Sequence, residues 1–513
     1  MRHPVISFGF VSLLFTAAVR AEVTLPSLLS SHMVLQRDMP VPLWGWAAAG
    51  EKVSVSFAGQ NKEVTADANG NWNAKLDAMA ASATPQTLTV KGNNEVKLED
   101  ILVGEVWLGS GQSNMQWSVE ASAKPQEEIA AANFPNIRLF LVPLVSSPVK
   151  NKDVAASWTA CSPQSAPKFS AVLYSMGRHL HKELDVPVGL IASSWGGSRI
   201  EPWTPIEGFE MVPSQRDKVG TIRMNTPGYP ENDAAMQGWL SSVEEWARQG
   251  KDLVKQKKPL PKMPDRPGPL AHGHHHLVGT YNAMIHPLVP SALRGAVWYQ
   301  GESNNGEGML YADRMQALVA GWRAVWKQGD FPFYHVQLAP YNYTKKSPEV
   351  DKATTALAEI WEAQAESVKR IPKTGMAVIN DIGNVSDIHP RNKQEAGRRL
   401  ALIALAKDYG RADLVHSGPV YRTHSAEGNK VRVKFDHAGG GLTARDGKAL
   451  TWFEVVGADG NFVAAEAVIE GTDVLVSSTA VAEPKEVRFA FSQIAEPNLM
   501  NKEGLPAGAF RSR

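Results

Sequence analysis

The residues of this sequence best suited to chemistry are a serine in a glycine-bounded turn and a distant histidine beside an aspartate. Ser113 lies in the segment 109–115, directly after an apolar run, where two glycines permit a tight strand-to-helix turn. A serine hydroxyl is a weak nucleophile until a base removes its proton and a third group orients that base. Asp387 and His389 are two residues apart, and in an extended segment such residues project to the same side. This set of residues predicts acyl transfer through a serine.

Other interpretations of these residues remain open. Ser110 occupies the same turn, and Ser113 is also suited to capping the helix that follows. Asp381 is a rival orienter, while Asp387 and His389 are equally suited to a helix cap and a surface histidine. The turn is not the Gly-x-Ser-x-Gly elbow, which disfavours the common α/β-hydrolase arrangement.

Two further polar clusters follow apolar runs and offer hydrogen-bond donors. The segment 193–201 contains Gly197, and a glycine there is able to point its backbone N–H at an oxyanion without steric obstruction. The segment 300–304 contains Gln300 and Asn304, whose amide groups would attract a carbonyl oxygen that is becoming negative. Each cluster alone is also compatible with an ordinary turn, but together they predict one site.

These clusters must be positioned by secondary structure, and the sequence between them alternates between strand and helix patterns. Amphipathic helical spacing is seen in the segments 172–184 and 315–326. This alternation predicts an α/β domain with a parallel sheet. In such sheets ligands bind at the carboxyl ends of the strands, where most of the polar clusters fall. The predicted strands are 105–108, 188–192, 296–299, 333–338 and 376–380.

Length and patterning indicate more than one domain. A chain of 513 residues exceeds what one hydrophobic core usually supports. Residues 1–21 are typical of a secretory signal, which predicts an exported, periplasmic or secreted protein. The segments 22–102 and 413–513 alternate between polar and apolar residues with turn signals, which predicts β regions around a catalytic domain at 103–412. A Lys/Pro-rich stretch at 255–269 is predicted to be a loop.

Charge and composition exclude several classes of partner. The chain has 53 basic and 52 acidic residues, so no field of one sign is available to attract nucleic acid or an anionic membrane. After the signal, no segment is long and apolar enough to span a bilayer. The single cysteine, Cys161, excludes an intramolecular disulfide. The histidines at 272 and 274–276 lack a nearby carboxylate or cysteine, which favours a polar loop over a metal site.

Four sequence blocks resemble a known family. They are similar to the signature blocks of the sialate O-acetylesterases within the SGNH hydrolase superfamily, and they occur in the same order. The resemblance implies a flavodoxin-like three-layer domain, a Ser/His/Asp triad and no metal or other cofactor. It assigns Ser113 as nucleophile and His389 as base. The blocks are Gly111-Gln-Ser-Asn-Met115, Trp195-Gly-Gly-Ser-Arg-Ile-Glu-Pro-Trp203, Trp298-Tyr-Gln-Gly-Glu-Ser-Asn304 and Asp387-Ile-His-Pro-Arg391.

The resemblance also implies an oxyanion hole formed by the Ser113 and Gly197 amides with a side-chain amide from Gln300 or Asn304. Asp387 completes the triad, although the superfamily usually spaces this pair as Asp-x-x-His, a spacing that would place Ser386 at the orienting position. Arg199 of the second block and Glu302 of the third block are predicted to bind substrate; Arg199 is equally able to pair with Glu201.

The predicted partner is an acetylated carbohydrate, either a sialic acid or a plant polysaccharide such as xyloglucan. Family members that act on plant polysaccharides carry flanking β modules, which the two predicted β regions resemble. The competing hypotheses are a non-catalytic carbohydrate-binding protein with a decayed hydrolase scaffold, and a lipase or peptidase of the same superfamily. The sequence does not predict an oligomeric state.

Overall fold

The structure is a computed structural model that describes residues 22–268, 273–345 and 353–512. The predicted signal at 1–21 and His272 lie outside the described residues. Within the described ranges, no helix is both long and apolar enough to cross a membrane.

The N-terminal region is built from short antiparallel strands. β2 pairs with β5. β4 pairs with β3, β3 with β6 and β6 with β7, all antiparallel, and β1 pairs with β7 in parallel. Buried and exposed residues alternate in β3 and β5, as expected for strands with one covered face. The strands are β1 Val34–Gln36, β2 Val41–Trp46, β3 Lys52–Phe57, β4 Gln60–Thr65, β5 Asn71–Leu76, β6 Ser82–Lys91 and β7 Glu95–Gly111.

Strand β7 runs from the N-terminal region into the central sheet. Its first residues pair with β6, and its last residues, from Glu105 to Gly111, pair with the central strands. Every residue from Ile101 onward is buried, which is the pattern of a parallel strand covered on both faces. The predicted boundary between 22–102 and 103–412 therefore falls inside one continuous strand that ends at the serine turn.

The central sheet has the strand order β13-β12-β11-β7-β10-β8-β9, parallel except for β9. The strands are β8 Phe134–Leu141, β9 Trp158–Cys161, β10 Val188–Ser194, β11 Gly295–Tyr299, β12 Phe333–Val336 and β13 Thr374–Ala377. All five predicted central strands are present. The strand predicted at 376–380 is observed at Thr374–Ala377. It ends early because beyond Ala377 the chain leaves β12, and the Asn380 side chain donates to the Ala507 carbonyl instead.

Helices cover both faces of this sheet. Gly109 packs against Leu173 of α3, and its partner in register on β11 is Val297. Trp298, the next residue, contacts Trp322 of α7. Successive strand residues point to opposite faces, so α3 and α7 lie on opposite sides. The helices are α1 Ser113–Gln116, α2 Pro125–Ala130, α3 Ala171–Leu184, α4 Ile206–Met211, α5 Asp217–Asn225, α6 Pro230–Lys255, α7 Leu310–Trp326, α8 Ala356–Arg370 and α9 Lys393–Asp408.

Local sequence signals explain where the principal helices begin. The Ser170 side chain accepts a hydrogen bond from the Leu173 amide at the start of α3, and Asn392 caps α9 through the Glu395 amide. α9 packs against α3, while α7 packs against α4 and α8. Single turns of other helix types lie at Val119–Ala121, Glu201–Trp203, Pro213–Gln215, Tyr281–Ile285, His286–Leu288 and Glu302–Asn304.

The C-terminal region consists of two four-stranded antiparallel sheets and one short strand pair. The sheets have the orders β14-β15-β20-β19 and β18-β17-β21-β23, and β16 pairs with β22. The buried residues of these strands belong to the same hydrophobic core as the central domain. The strands are β14 Val420–Glu427, β15 Lys430–Asp436, β16 Leu442–Ala444, β17 Phe453–Val456, β18 Phe462–Ala464, β19 Glu466–Glu470, β20 Asp473–Ser477, β21 Glu486–Phe489, β22 Leu499–Asn501 and β23 Phe510–Arg511.

Candidate active site

The serine turn lies at the carboxyl end of β7. The strand β10 lies on one side of β7, and the later strands β11 to β13 lie on the other side. Gly111 has φ +136°, and a Cβ there would lie 2.2 Å from the Tyr299 carbonyl oxygen, so this position requires glycine. Gln112 is extended and Ser113 begins α1. The alternative nucleophile, Ser110, is entirely buried within β7, and its hydroxyl has no partner among the described residues.

His389 lies beside Ser113 although 276 residues separate them in the sequence. Its Nε2 is 2.9 Å from the Ser113 Oγ, within hydrogen-bond distance. The imidazole stacks on the Trp117 indole, with ring centroids 4.5 Å apart and planes 18° apart. Partial burial lowers the pKa of His389, as does the charge of Lys393, while Asp387 acts in the opposite direction. Both effects favour the neutral imidazole, the form that is able to accept the serine proton.

Asp387 lies close to His389, but its carboxylate holds the backbone rather than the ring. Its Oδ1 accepts a hydrogen bond from the His389 amide at 2.9 Å, whereas the distance from Oδ1 to the His389 Nδ1 is 3.8 Å, too long for a hydrogen bond. The rival Asp381 is buried in a bidentate ion pair with Arg399 at 2.6 and 2.7 Å. The amide of Ser386 bonds to the Asn384 side chain, and Ser386 is exposed.

Two backbone amides near the serine hydroxyl lack protein partners. The Gly196 amide donates to the Gln116 side chain at 2.7 Å, and a Cβ on Gly196 would lie 3.3 Å from the Ser113 Cβ. Gly197, the next residue, has φ +76°. Within the described part of the chain, neither the Gly197 amide nor the Ser113 amide donates to a protein acceptor. The two amides that the sequence analysis named as oxyanion donors are therefore both without a protein acceptor in this part of the chain.

The predicted side-chain donors Gln300 and Asn304 are oriented away from this role. Both residues are fully buried. The Asn304 amide nitrogen donates to Glu201 at 3.1 Å and Glu307 at 3.0 Å, and the Gln300 amide nitrogen donates to the Ser198 carbonyl and to Asn304. The N–H groups of both side chains therefore donate to residues in and next to the second and third motif blocks, and these hydrogen bonds hold the two blocks together. The prediction of a third oxyanion donor from these residues is therefore not supported by this geometry.

Arg199 and Glu302 are both bound by protein groups, although the Arg199 side chain is 39% exposed. Arg199 pairs with Glu201 and Glu307 and donates to the Ser303 carbonyl at 3.1 Å. Of its two predicted partners, substrate and Glu201, the structure contains the second. The Glu302 carboxylate accepts a hydrogen bond from Asn114. Burial raises the pKa of Glu302, and its Oε2 is buried with no partner among the described residues.

The histidine tract contributes a residue whose position the sequence did not predict. The His274 ring lies 5.2 Å from the Trp195 ring centroid, and its Nε2 is 3.2 Å from where a Cβ on Gly197 would be. His274 therefore lies in a loop, as predicted, and this loop borders the glycine turn. Across the described ranges, no group of three or more His, Cys, Asp or Glu residues is arranged to hold a metal ion.

Comparisons with known proteins show which family this chain belongs to. A family model described as "Carbohydrate esterase, sialic acid-specific acetylesterase" matches residues 270–404, which include His389 but not Ser113. The sialate O-acetylesterase of Rattus norvegicus is 32% identical over 433 residues, covering 77% of this chain and 75% of that protein. The chain belongs to the sialate O-acetylesterase family. The human sialate O-acetylesterase is 30% identical over 427 residues, covering 77% of this chain and 72% of its own length.

A solved structure of a family relative matches nearly the whole chain. A carbohydrate acetylesterase from Xanthomonas citri superimposes with a TM-score of 0.80 at 34% identity, covering 96% of this chain and 100% of that one. The prediction of a carbohydrate O-acetylesterase, and hence of an ester hydrolase, is confirmed at the level of the family.

Proposed function

We propose that this sialate O-acetylesterase family member removes acetyl groups from carbohydrates through an acetyl ester on Ser113. The 2.9 Å contact between the Ser113 Oγ and the His389 Nε2 carries this proposal. It places a hydroxyl and its base in the relation that nucleophilic catalysis requires. A non-catalytic carbohydrate-binding protein would have no use for that contact.

The reaction proceeds in two acyl transfers. The Ser113 oxygen attacks the acetyl carbonyl while the His389 Nε2 takes the hydroxyl proton, and the bond to the sugar oxygen then breaks as His389 returns that proton to the leaving sugar. Water, deprotonated by His389, attacks the acetyl-serine. Acetate leaves, and Ser113 recovers its proton.

The proposal assigns Asp387 to orient and stabilise the imidazolium. Its carboxylate is the charged group 3.8 Å from the His389 Nδ1. Catalytic hydrogen bonds are often long in a structure without substrate and tighten in the complex. Because both oxygens of Asp381 are engaged by Arg399, the geometry favours Asp387 over Asp381.

The Ser113 and Gly197 amides form the proposed oxyanion hole. We expect Gly197→Ala to lower kcat on the order of 100- to 1,000-fold with a smaller change in KM, because a side chain at φ +76° shifts the amide that meets the oxyanion. Kinetics with p-nitrophenyl acetate measure this. Gly228→Ala is the matched control, since Gly228 also has positive φ, lies between α5 and α6 and has open space around it. A change confined to KM would make Gly197 a substrate contact instead.

The acid limb of the pH profile follows from the lowered pKa of His389. Catalysis needs the unprotonated imidazole, and burial and Lys393 shift its pKa below the usual 6.5. We therefore expect kcat/KM to fall on acidification with a midpoint below pH 6.5. A profile from pH 4 to pH 9, measured with an acetate ester, tests this. A midpoint above pH 6.5 would mean that a carboxylate dominates the environment of the histidine.

The finer classification as an SGNH-type hydrolase is part of the proposal. Apart from β8 and β9, which extend the sheet beyond β10, the five strands β7, β10, β11, β12 and β13 lie in the spatial order 2-1-3-4-5 when numbered along the chain, the order of flavodoxin-like folds. Helices on both faces complete three layers. Ser113 follows the first of these strands, at the switch point where such folds bind ligands.

The substrate class is tested by acetate release. The guanidinium of Arg199 is paired with two carboxylates, which favours a neutral acetylated carbohydrate over a substrate whose own carboxylate needs that arginine. We expect acetate release from acetylated neutral glycans to exceed release from an acetylated sialic acid. The reverse preference would require another cation in the cleft, and no release from any carbohydrate acetate would refute the proposed function.

Export through the segment 1–21 is also proposed, and sequencing the amino terminus of the mature protein tests it.

A further inference from the structure

A buried polar bridge lies directly beneath the Ser113–His389 pair. Asn114 is its centre: the Nδ2 donates to the Glu302 carboxylate and, at 3.0 Å, to the Ile388 carbonyl, while the Oδ1 accepts from the Lys393 Nζ. Asn114 and Lys393 are each 1% exposed. We call Asn114, Glu302 and Lys393 the buried bridge.

The amino group of Lys393 is held far from solvent. Burial lowers the pKa of Lys393 to about 7, against the opposing effects of Glu302 and Asp387. Its Nζ also lies 5.2 Å from the Tyr299 ring centroid and 5.9 Å from that of Trp117. A buried ammonium costs free energy of folding, and an apolar side chain of similar volume often fills such a position without loss of stability. The fold alone therefore does not account for a lysine here.

The bridge connects the segments that must meet for catalysis. Asn114 follows Ser113, Ile388 precedes His389, and Lys393 lies in the first turn of α9, just after the histidine loop. Lys393 also lies under Trp117, whose indole stacks on the His389 ring. The distance between the serine turn and the histidine loop is thus fixed through one asparagine side chain.

We propose that Lys393 is a positioning residue, which acts through Asn114 to hold the His389 loop against the serine turn, with Glu302 as the acceptor that orients the other end of the same asparagine side chain. This inference rests on the proposed function, since it assigns a role in the same reaction. It replaces the sequence-based prediction that Glu302 binds substrate.

The decisive variant is Lys393→Met, which keeps the length and apolar contacts of the side chain but removes its charge and hydrogen bond. We expect kcat to fall on the order of 100-fold with KM nearly unchanged, because small displacements of a reacting pair have effects of this size. Lys407→Met is the control: Lys407 lies near the end of the same helix and also donates to a protein group, the Thr374 carbonyl, but its side chain is exposed. The control is expected to retain wild-type kcat.

A pH profile separates positioning from a general structural role. The titratable groups that face His389 are Lys393 from α9 and Asp387 from its own loop. Removing the lysine charge removes a cause of the lowered pKa of His389, so the acid limb of Lys393→Met should move to higher pH. Loss of helix stability would lower activity without moving that limb.

The Glu302 variants test the same bridge independently, even if Lys393→Met does not fold. Glu302→Gln keeps an oxygen able to accept from Asn114 and should retain most of the wild-type kcat, whereas Glu302→Ala should lose about as much as Lys393→Met. An unchanged kcat in Lys393→Met or Glu302→Ala would overturn the proposal, as would an equal loss in Lys407→Met or an effect on KM alone. Any of these outcomes leaves the proposed function intact, because the reaction itself is tested separately, by acetate release and by Ser113→Ala.

Discussion

Ser113→Ala is expected to abolish esterase turnover while leaving the fold intact. The loss in kcat should be on the order of 10⁶-fold, the size seen when the nucleophile of a serine hydrolase is removed. Ser113 is at the surface of the turn and its side chain contacts His389, so its removal leaves no buried cavity. The measurement is kcat on p-nitrophenyl acetate and on an acetylated glycan, with thermal unfolding as the check on the fold.

Ser110→Ala is the control for this experiment. Ser110 is in the same turn, but its hydroxyl is buried without a partner among the described residues, so the variant should retain activity. Near wild-type turnover in Ser113→Ala, or inactivation by Ser110→Ala alone, would move the nucleophile elsewhere.

His389→Ala should cost nearly as much as Ser113→Ala, because the two residues act as one unit. Asp387→Asn removes the charge that stabilises the imidazolium but keeps an oxygen able to accept the backbone hydrogen bond of His389. We expect a loss of about 10⁴-fold in kcat. The double variant with His389→Ala should be scarcely worse than His389→Ala alone, because the aspartate acts only through the histidine.

Asp381→Asn distinguishes the two candidate orienters. Its carboxylate is buried with Arg399, and breaking a buried ion pair costs on the order of 3–5 kcal/mol of unfolding free energy. We expect a lower melting temperature with kcat little changed. Penalties that multiply in the Asp387 and His389 double variant, or a larger kcat loss in Asp381→Asn, would show that Asp387 is not the orienter.

The meeting of Ser113 and His389 was predictable from the sequence because parallel strands bring their carboxyl ends to one edge of the sheet. Apolar runs of strand length located β7, β10 and β11, and the polar residues after them had to converge. The Gly197 amide was predictable for the same reason, since glycine after a strand end is the residue that permits φ +76°.

The orientations of buried amides and charges were not predictable in this way. Whether Asn304 points toward the serine or toward Glu201 and Glu307 depends on its hydrogen bonds to these carboxylates, which are themselves held in place by ion pairs with Arg199. Lys393 is in the first turn of a polar-looking helix segment, where a lysine is ordinarily exposed. His274 borders the glycine turn only because its loop crosses there, and no periodic pattern records the path of a loop.

The central claim is that turnover passes through an acetyl ester on Ser113, and the most direct test is to trap that ester. The wild-type enzyme is mixed with saturating p-nitrophenyl acetate, quenched with acid during the first turnover, digested and mapped by mass spectrometry. One acetyl group should be found on the peptide containing Ser113, at the serine itself, and it should be absent from Ser113→Ala. An acetyl group on another residue, or acetate release at full rate with no acetylated peptide at any time, would contradict the account.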